Sequence, residues 1–198
     1  MVFKVKDHYF KKAKKENFLA RSIYKLEEID QRFKLIRPGD SICDLGYYPG
    51  SWIQYCSKKV GPNGHVIGID IKEPNLKLNS LSNIKLFQYD IFSLENLAAL
   101  AVSDTFDVVL SDMAPNTSGI KSLDQDRSLN LVEKVLGILD LMLKPGGNMV
   151  VKVFDSQNAQ NFLKSKKGMF LEWHFLKPKS TRSQSKEFFA IGKGFGKI

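Results

Sequence analysis

Lys152 interrupts the apolar run NMVVKVF, residues 148–154. An ammonium taken out of water is expensive unless it is paired or neutralised. A lysine can escape that cost by snorkelling from an exposed strand end; the other reading is a lysine kept at a ligand edge for proton chemistry. Free lysine titrates near pH 10.4, which leaves about one in 10³ neutral at pH 7. Desolvation and nearby cations raise that fraction, and nearby carboxylates lower it while holding the group in place. Acids recur at a fixed kind of position. Asp44 lies in SICDL, Asp70 closes HVIGID, Asp90 closes IKLFQYD and Asp112 closes FDVVLSD. A single acid of this kind can simply cap the next turn. Four along one rim repel one another unless something cationic, or rich in hydroxyls and amines, sits among them.

The segment after the first of these runs, DLGYYPGSW (44–52), carries Gly46 and Gly50, where the backbone can approach a ligand. Their spacing is G-x-x-x-G, without the G-x-G-x-x-G fingerprint that a pyrophosphate wants. Asp70 lies 24 residues beyond Gly46, near where a ribose-binding acid stands in a nucleotide-binding βαβ unit. A ribose without a pyrophosphate, plus a positive charge for the acids to meet, describes S-adenosylmethionine. A nicotinamide cofactor fits less well.

These residues need a frame that brings strand ends together. Ile23, Leu26, Ile29 and Phe33 recur at helical spacing and predict a helix over 20–36, ended by Pro38-Gly39. Short apolar runs then alternate with helical stretches. Strands are predicted at 41–45, 65–70, 84–90, 106–112 and 148–154, and two more near 170–177 and 186–192. Helices are predicted at 51–60, 124–143 and 156–167, with turns at Gly61–Gly64 and Lys144–Gly147. Apolar strands alternating with helices imply a mostly parallel sheet covered on both faces, an α/β doubly wound fold in one domain. Ligands of such sheets bind beyond the carboxyl ends of the strands.

Composition excludes other classes. The 198 residues are 43% hydrophobic and 26% charged, as in an ordinary globular domain. Cys43 and Cys56 form no CxxC pair or disulfide framework. His8, His65 and His174 have no metal-ligand spacing, so no metal site is expected. No apolar stretch approaches the roughly 18 residues of a membrane span. The N-terminus has charge where a signal peptide needs its apolar core, and it is too acidic and Lys-rich to favour a transit peptide, so a cytoplasmic location is expected. The net charge of +9 is uneven. Residues 1–37 carry 11 Lys and Arg against 5 acids, and residues 164–198 carry 9 against 2, around an acidic middle of 10 against 14. Lysine-rich segments are often plain solvated faces, but basic ends of this kind also suit a polyanion, and nucleic acid is the expected partner.

The blocks DLGYYPGSW, SDMAPNTSG (111–119), VVKVF (150–154) and SKEFF (185–189), preceded by RSIYKLEEID (21–30), resemble the FtsJ/RrmJ family over about residues 9–192. The resemblance implies a Rossmann-like class I methyltransferase fold, to which the charge map adds residues 1–37 as a basic RNA-facing extension and 164–198 as basic closing strands. It implies an S-adenosylmethionine-dependent RNA ribose 2′-O-methyltransferase. Its Lys-Asp-Lys-Glu tetrad falls on Lys25, Asp112, Lys152 and Glu187, with Lys152 as the proton acceptor. The family's cofactor contacts fall on Gly50, Trp52, Asp70, Asp90 and Asp112. The bacterial branch, matched in length and blocks, methylates a uridine of large-subunit ribosomal RNA; other branches act on tRNA or mRNA caps.

The reaction so implied is an in-line displacement at a sulfonium methyl by a ribose 2′-oxygen, which needs a positioned base. Asp112 and Glu187 would fix the Lys152 ammonium or orient the hydroxyl, and Lys25 would add a second positive charge that steadies the RNA backbone. Lys25 has a plainer reading as an i, i+3 partner of Glu28, and Glu187 as a partner of Lys186. The family loop has two alanines before its proline and Gly-Gly before its tryptophan; here Tyr47-Tyr48 and Ser51 stand there. The tyrosines are expected to narrow the entrance or turn outward, where they could stack on a base or on the adenine. Rival readings are a nicotinamide-linked oxidoreductase, a base methyltransferase and a non-catalytic RNA-binding assembly factor. The first lacks its glycine fingerprint, the second its Asn/Asp-Pro-Pro-aromatic motif, and only the two tyrosines favour the third. A monomer is expected, with no heptad or long exposed apolar edge in the sequence.

Overall fold

The computed structural model describes residues 8–100, 102 and 105–196, so the lysines at positions 4, 6 and 197 lie outside the described residues. In chain order the elements are α1 (His8–Lys15), α2 (Ile23–Phe33), β1 (Ser41–Leu45), α3 (Ser51–Val60), β2 (His65–Asp70), β3 (Ile84–Gln88), β4 (Phe106–Ser111), α4 (Lys121–Gly137), α5 (Leu139–Met142), β5 (Leu143–Phe154), α6 (Gln157–Ser165), β6 (Phe170–Leu176) and β7 (Glu187–Phe195). The seven strands form one sheet in the order β3-β2-β1-β4-β5-β7-β6. β1 to β5 pair in parallel, and β7 runs antiparallel to both β5 and β6. From β1 the chain winds first toward β3 and then, after β3, returns to β4 on the other side. That reversal leaves a crevice beyond the carboxyl ends of β1 and β4.

Alternation along each strand decides which face a side chain joins. Ile42, Val66, Val108, Leu110, Val150, Phe189 and Ile191 lie in one core with Leu26 and Ile29 of α2 and Trp52, Ile53 and Cys56 of α3. Cys43, Ile67, Val109, Met149, Val151 and Ala190 lie in the opposite core with Val132 and Leu136 of α4 and Leu163 of α6. The sheet is covered on both faces, as the apolar runs require. Each of the fully buried Leu and Ile side chains of α2 contributes about 1.5–3 kcal/mol through burial.

Element ends differ from the sequence reading where a side chain or backbone kink overrides the local pattern. Helix α2 stops at Phe33 rather than at Pro38-Gly39. Lys34 turns left-handed at φ 54° and donates its N–H to the Asp30 carbonyl. Buried Asp30 then accepts the Leu35 and Ile36 amides at 3.0 Å each, together with the Tyr55 hydroxyl at 2.8 Å. The turn predicted at Lys144–Gly147 is absorbed into β5: Phe106 pairs with Leu143 and Val108 with Asn148, so the extra residues form an irregularity in the ladder. The single helix predicted over 124–143 is two, broken at Ile138. β3 and β4 end before Asp90 and Asp112, which therefore sit in the loops just past their strands.

Candidate active site

The residues that follow the α2–α3 face outward reach one point at the sheet edge. Val108 and Leu110 lead by alternation to Asp112, Val150 leads to Lys152, and Ile191 and Phe189 lead to Glu187. The antiparallel register sets Lys152 opposite Phe189 and Phe154 opposite Glu187. Lys25, on α2, comes down onto the same spot. Its Nζ lies 2.5 Å from Glu187 Oε1 and 3.7 Å from Asp112 Oδ1. Lys152 Nζ lies 3.0 Å from the same Asp112 Oδ1 and donates a hydrogen bond to the Asp112 carbonyl oxygen. The approach to Oδ1 is an ion-pair contact rather than a directed hydrogen bond.

Two ammoniums and two carboxylates thus neutralise one another, with side chains only 7–18% exposed. Burial raises the Glu187 carboxyl, but the Lys25 ammonium, and then Lys152, outweigh it and hold Glu187 below the usual glutamate range. The plainer readings of these residues do not apply. Lys152 does not snorkel, being 7% exposed. Glu28 is taken by the Lys179 amide at 2.8 Å rather than by Lys25. Each carboxylate of the cluster touches a lysine distant in sequence.

The other acids occupy the β1–β3 side of the same edge. Asp44 is 1% exposed and its Oδ2 has no hydrogen-bond partner among the described residues. It does not cap the following turn, since the Gly46 amide goes to the Ile69 carbonyl at 2.7 Å. Burial, and then the carboxylates of Asp112 and Asp70, push the Asp44 carboxyl well above the usual aspartate range. Asp70 accepts the Tyr48 amide on one oxygen and the Lys72 amide on the other, each at 2.9 Å. Asp90 is exposed and accepts the Phe92 amide at 2.9 Å, which starts a short 3₁₀ turn. A carboxylate has about four lone-pair sites, so Asp70 and Asp90 each keep acceptor capacity beyond these bonds.

Gly46 and Gly50 both have positive φ, 73° and 111°. A Cβ at Gly46 would stand 2.2 Å from Met113 Cγ, and one at Gly50 2.4 Å from Leu78 Cδ1. The glycines expected to admit a ligand are therefore required first by backbone conformation and by side chains that fill their Cβ space. Trp52 is also placed differently from a side-chain ligand contact. Its indole is 2% exposed, donates Nε1–H to the Ser22 carbonyl at 2.9 Å and packs 5.9 Å from the Phe189 ring. Only its backbone can meet a ligand.

A cationic, donor-rich ligand fits this half of the edge. Among the described residues Asp44 Oδ2 has no hydrogen-bond partner, and Asp112 and Asp70 add negative charge to its surroundings. The family model for FtsJ-like methyltransferases matches residues 18–195. The chain belongs to that family. Curated relatives include two proteins named ribosomal RNA large subunit methyltransferase E. That of Desulfatibacillum aliphaticivorans is 44% identical over 94% of this chain and 89% of its own. That of Bdellovibrio bacteriovorus is 43% identical over 97% and 98%. Among solved structures, a Plasmodium falciparum chain assigned as a ribosomal RNA methyltransferase superposes with a TM-score of 0.77 at 27% identity, over 90% of this chain and 98% of its own.

Within this FtsJ-like site the two tyrosines part company. Tyr47 turns inward, 3% exposed, and lies on β2 so closely that a Cβ at Gly68 would stand 2.7 Å from its ring. Its hydroxyl is buried without a partner among the described residues, and burial, then Asp70 and Asp44, push it up to about 12. Tyr48 turns outward, 42% exposed, with the Lys72 ammonium 4.6 Å from its ring centre. Sequence reasoning missed Ser22. Its hydroxyl meets that of Ser51 at 2.9 Å while its carbonyl holds Trp52, so it locks α2 to α3 and aims Lys25. The segment between β6 and β7, KPKSTRSQSKE, was legible as suited to phosphate oxygens; that Arg21 and Glu28 of the N-terminal region hold it through the Ser180 carbonyl and the Lys179 amide was not. No periodicity signals such contacts, which join residues more than 150 positions apart. Among the described residues no helix is long and apolar enough to cross a membrane, and no His/Cys/Asp/Glu group could hold a metal ion.

Proposed function

We propose that this protein is an S-adenosylmethionine-dependent methyltransferase that modifies a ribose 2′-hydroxyl of large-subunit ribosomal RNA, with a uridine as the target nucleoside. The observation that carries this reading is the Lys25–Asp112–Lys152–Glu187 cluster, assembled at the crevice of a methyltransferase-family fold. The curated relatives named for the same RNA supply the substrate class. Bound S-adenosylmethionine supplies an electrophilic methyl group and a positive charge. Asp44 and Asp112 would face that charge, Asp70 would take ribose hydroxyls, Asp90 a donor of the base, and the Gly50–Trp52 backbone would close the crevice.

Lys152, as the neutral amine left when its ammonium has lost a proton to solvent, is the group that takes the 2′-hydroxyl proton. Its two remaining N–H groups face the Asp112 carbonyl and carboxylate, which leaves the Nζ lone pair for the substrate proton. Lys25 anchors Glu187 beside it and offers its charge to the RNA phosphates. Fixing both reacting groups accounts for much of the rate in such a transfer. The basic segments 1–37 and 164–198 would hold RNA by its phosphates, which position without specifying sequence. The protein would act as a monomer in the cytoplasm, on the RNA within the large subunit. The assembled Lys25–Asp112–Lys152–Glu187 cluster disfavours a non-catalytic assembly factor.

The test is methyl transfer from labelled S-adenosylmethionine to large ribosomal subunits that lack the modification, with nucleoside analysis of the product. Label in a 2′-O-methyluridine is the expected result. Label on a base, or none with a folded and cofactor-binding protein, would overturn the reading.

A further inference from the structure

On the opposite face of the sheet, one ladder position beyond the Phe154–Glu187 pair, lies an open depression of about 330 Å³ lined entirely by polar residues. The Asp155 amide donates to the Lys186 carbonyl at 2.8 Å and so continues the β5–β7 ladder to this point. Lys186 and Glu187 are consecutive, so alternation sends their side chains to opposite faces: Glu187 to the lysine–carboxylate cluster and Lys186 to the depression. A chain crossing the rim of the sheet at β5 and β7 meets both.

The lining has a definite polarity. Gln125 Nε2 donates to the Asp155 carbonyl at 2.5 Å, and Gln160 Nε2 donates to Asp155 Oδ1 at 2.7 Å. Asp155 offers only acceptors in both bonds, which settles the orientation of both amides and leaves their Oε1 atoms as acceptors. With the Asp155 carboxylate they are acceptors among the residues that line the depression. Lys121 and Lys186, both exposed, provide positive charge at the border. Acceptors within and cations outside are the complement of a nucleotide whose base presents N–H donors and whose phosphate stays at the rim.

We infer that this depression binds the nucleotide next to the methylated one, reading a base that carries an exocyclic amine through Gln125, Gln160 and Asp155, with its phosphate on Lys121 and Lys186. The inference rests on the proposed RNA methyl transfer. It names a recognition site on the far side of the rim from the reacting groups. Single-stranded RNA is read in this way, with bases unstacked and their edges hydrogen-bonded.

The test is steady-state methyl transfer to an RNA fragment spanning the modified position, with wild type, Gln125→Leu/Gln160→Leu and Lys121→Ala. The double variant is expected to raise the KM for RNA about tenfold or more with kcat unchanged, since a good base contact discriminates by about 1–3 kcal/mol. Lys121→Ala is expected to raise it less and to flatten its salt dependence. Replacing each flanking base in turn by uracil should raise the wild-type KM at one flank only, and leave the double variant unaffected there. Affinity for S-adenosylmethionine should be unchanged in all of them, which verifies folding. An active wild type whose KM is moved by neither the double variant nor any flanking base would overturn the inference and leave the proposed function standing. A wild type inactive on every RNA would overturn both.

Discussion

The two halves of the sheet edge solve opposite problems. At β4, β5 and β7, two lysines and two carboxylates neutralise one another within 2.5–3.7 Å. At β1 and β2, Asp44 has a buried oxygen with no hydrogen-bond partner among the described residues, and the charges that act on it are the carboxylates of Asp112 and Asp70. One half is complete without a ligand and the other is not. A catalytic group must be oriented before substrate arrives, whereas a binding half that keeps an unpaired carboxylate gains most when a cation fills it. On the proposed function, the difference separates chemistry from cofactor capture along a single rim.

Substitutions that act on one half and spare the other test this division. Lys152→Ala should lower kcat by about 10²–10⁴-fold, the usual worth of a positioned base, while calorimetric titration finds S-adenosylmethionine affinity within about twofold of wild type. Wild-type rates would sink the base assignment, and loss of both properties would mean that the halves are not separate.

The reverse pattern is expected on the β2 side. Asp70→Ala should weaken S-adenosylmethionine about tenfold or more, as loss of hydrogen bonds to a charged group implies, with little change in kcat at saturation. Asp44 sharpens the point through protons. Its carboxyl keeps its proton above the usual range, and a cationic ligand favours the ionised form, so binding should release protons and tighten as pH rises toward the Asp44 value. Titration in buffers of different ionisation enthalpy would detect the release, and Asp44→Asn should abolish it. Equal enthalpies in all buffers would show that the ligand does not engage Asp44.

The paired half has its own pH signature, of the other sign. Glu187 is held below the usual glutamate range in the folded protein. Its stabilisation is therefore whole above the unfolded value of about 4.3 and disappears as pH falls through the folded one. Melting temperature should drop more steeply on acidification in wild type than in Glu187→Gln. The smallest effect is expected at Tyr47→Phe. It removes a buried hydroxyl that has no partner among the described residues, so stability should hold or rise by about 1 kcal/mol, with S-adenosylmethionine affinity unchanged. A marked loss of affinity would place that hydroxyl in the binding half.

Much of the rim was legible residue by residue. Lys152 stood out because an apolar run buried on both faces has no ordinary place for an ammonium. Asp44, Asp70, Asp90 and Asp112 stood out because strands of a wound sheet present their carboxyl ends to ligand. Lys25 was less legible, since Glu28 offers an adequate partner three residues away, and only packing shows that Glu28 is engaged by Lys179. Trp52 and Tyr47 were legible as part of the loop but not in their direction. An aromatic residue in such a loop can face ligand or core with equal local propriety, and here Ser22 and Gly68 draw both inward.

Local order is what the chain encodes on its own. Alternation along 106–112 and 148–154 sets Asp112 on the face of Val108 and Leu110, and Lys152 on that of Val150, because successive Cβ atoms must point apart; the register of β4 against β5, which makes these one face, is tertiary. Strand order, the reversal of β7 and the meeting of Lys25 with Glu187, 162 residues away, were decided by tertiary structure alone. Such contacts depend on which faces bury each other once the sheet forms, and an ion pair across that distance exists only after those faces have closed.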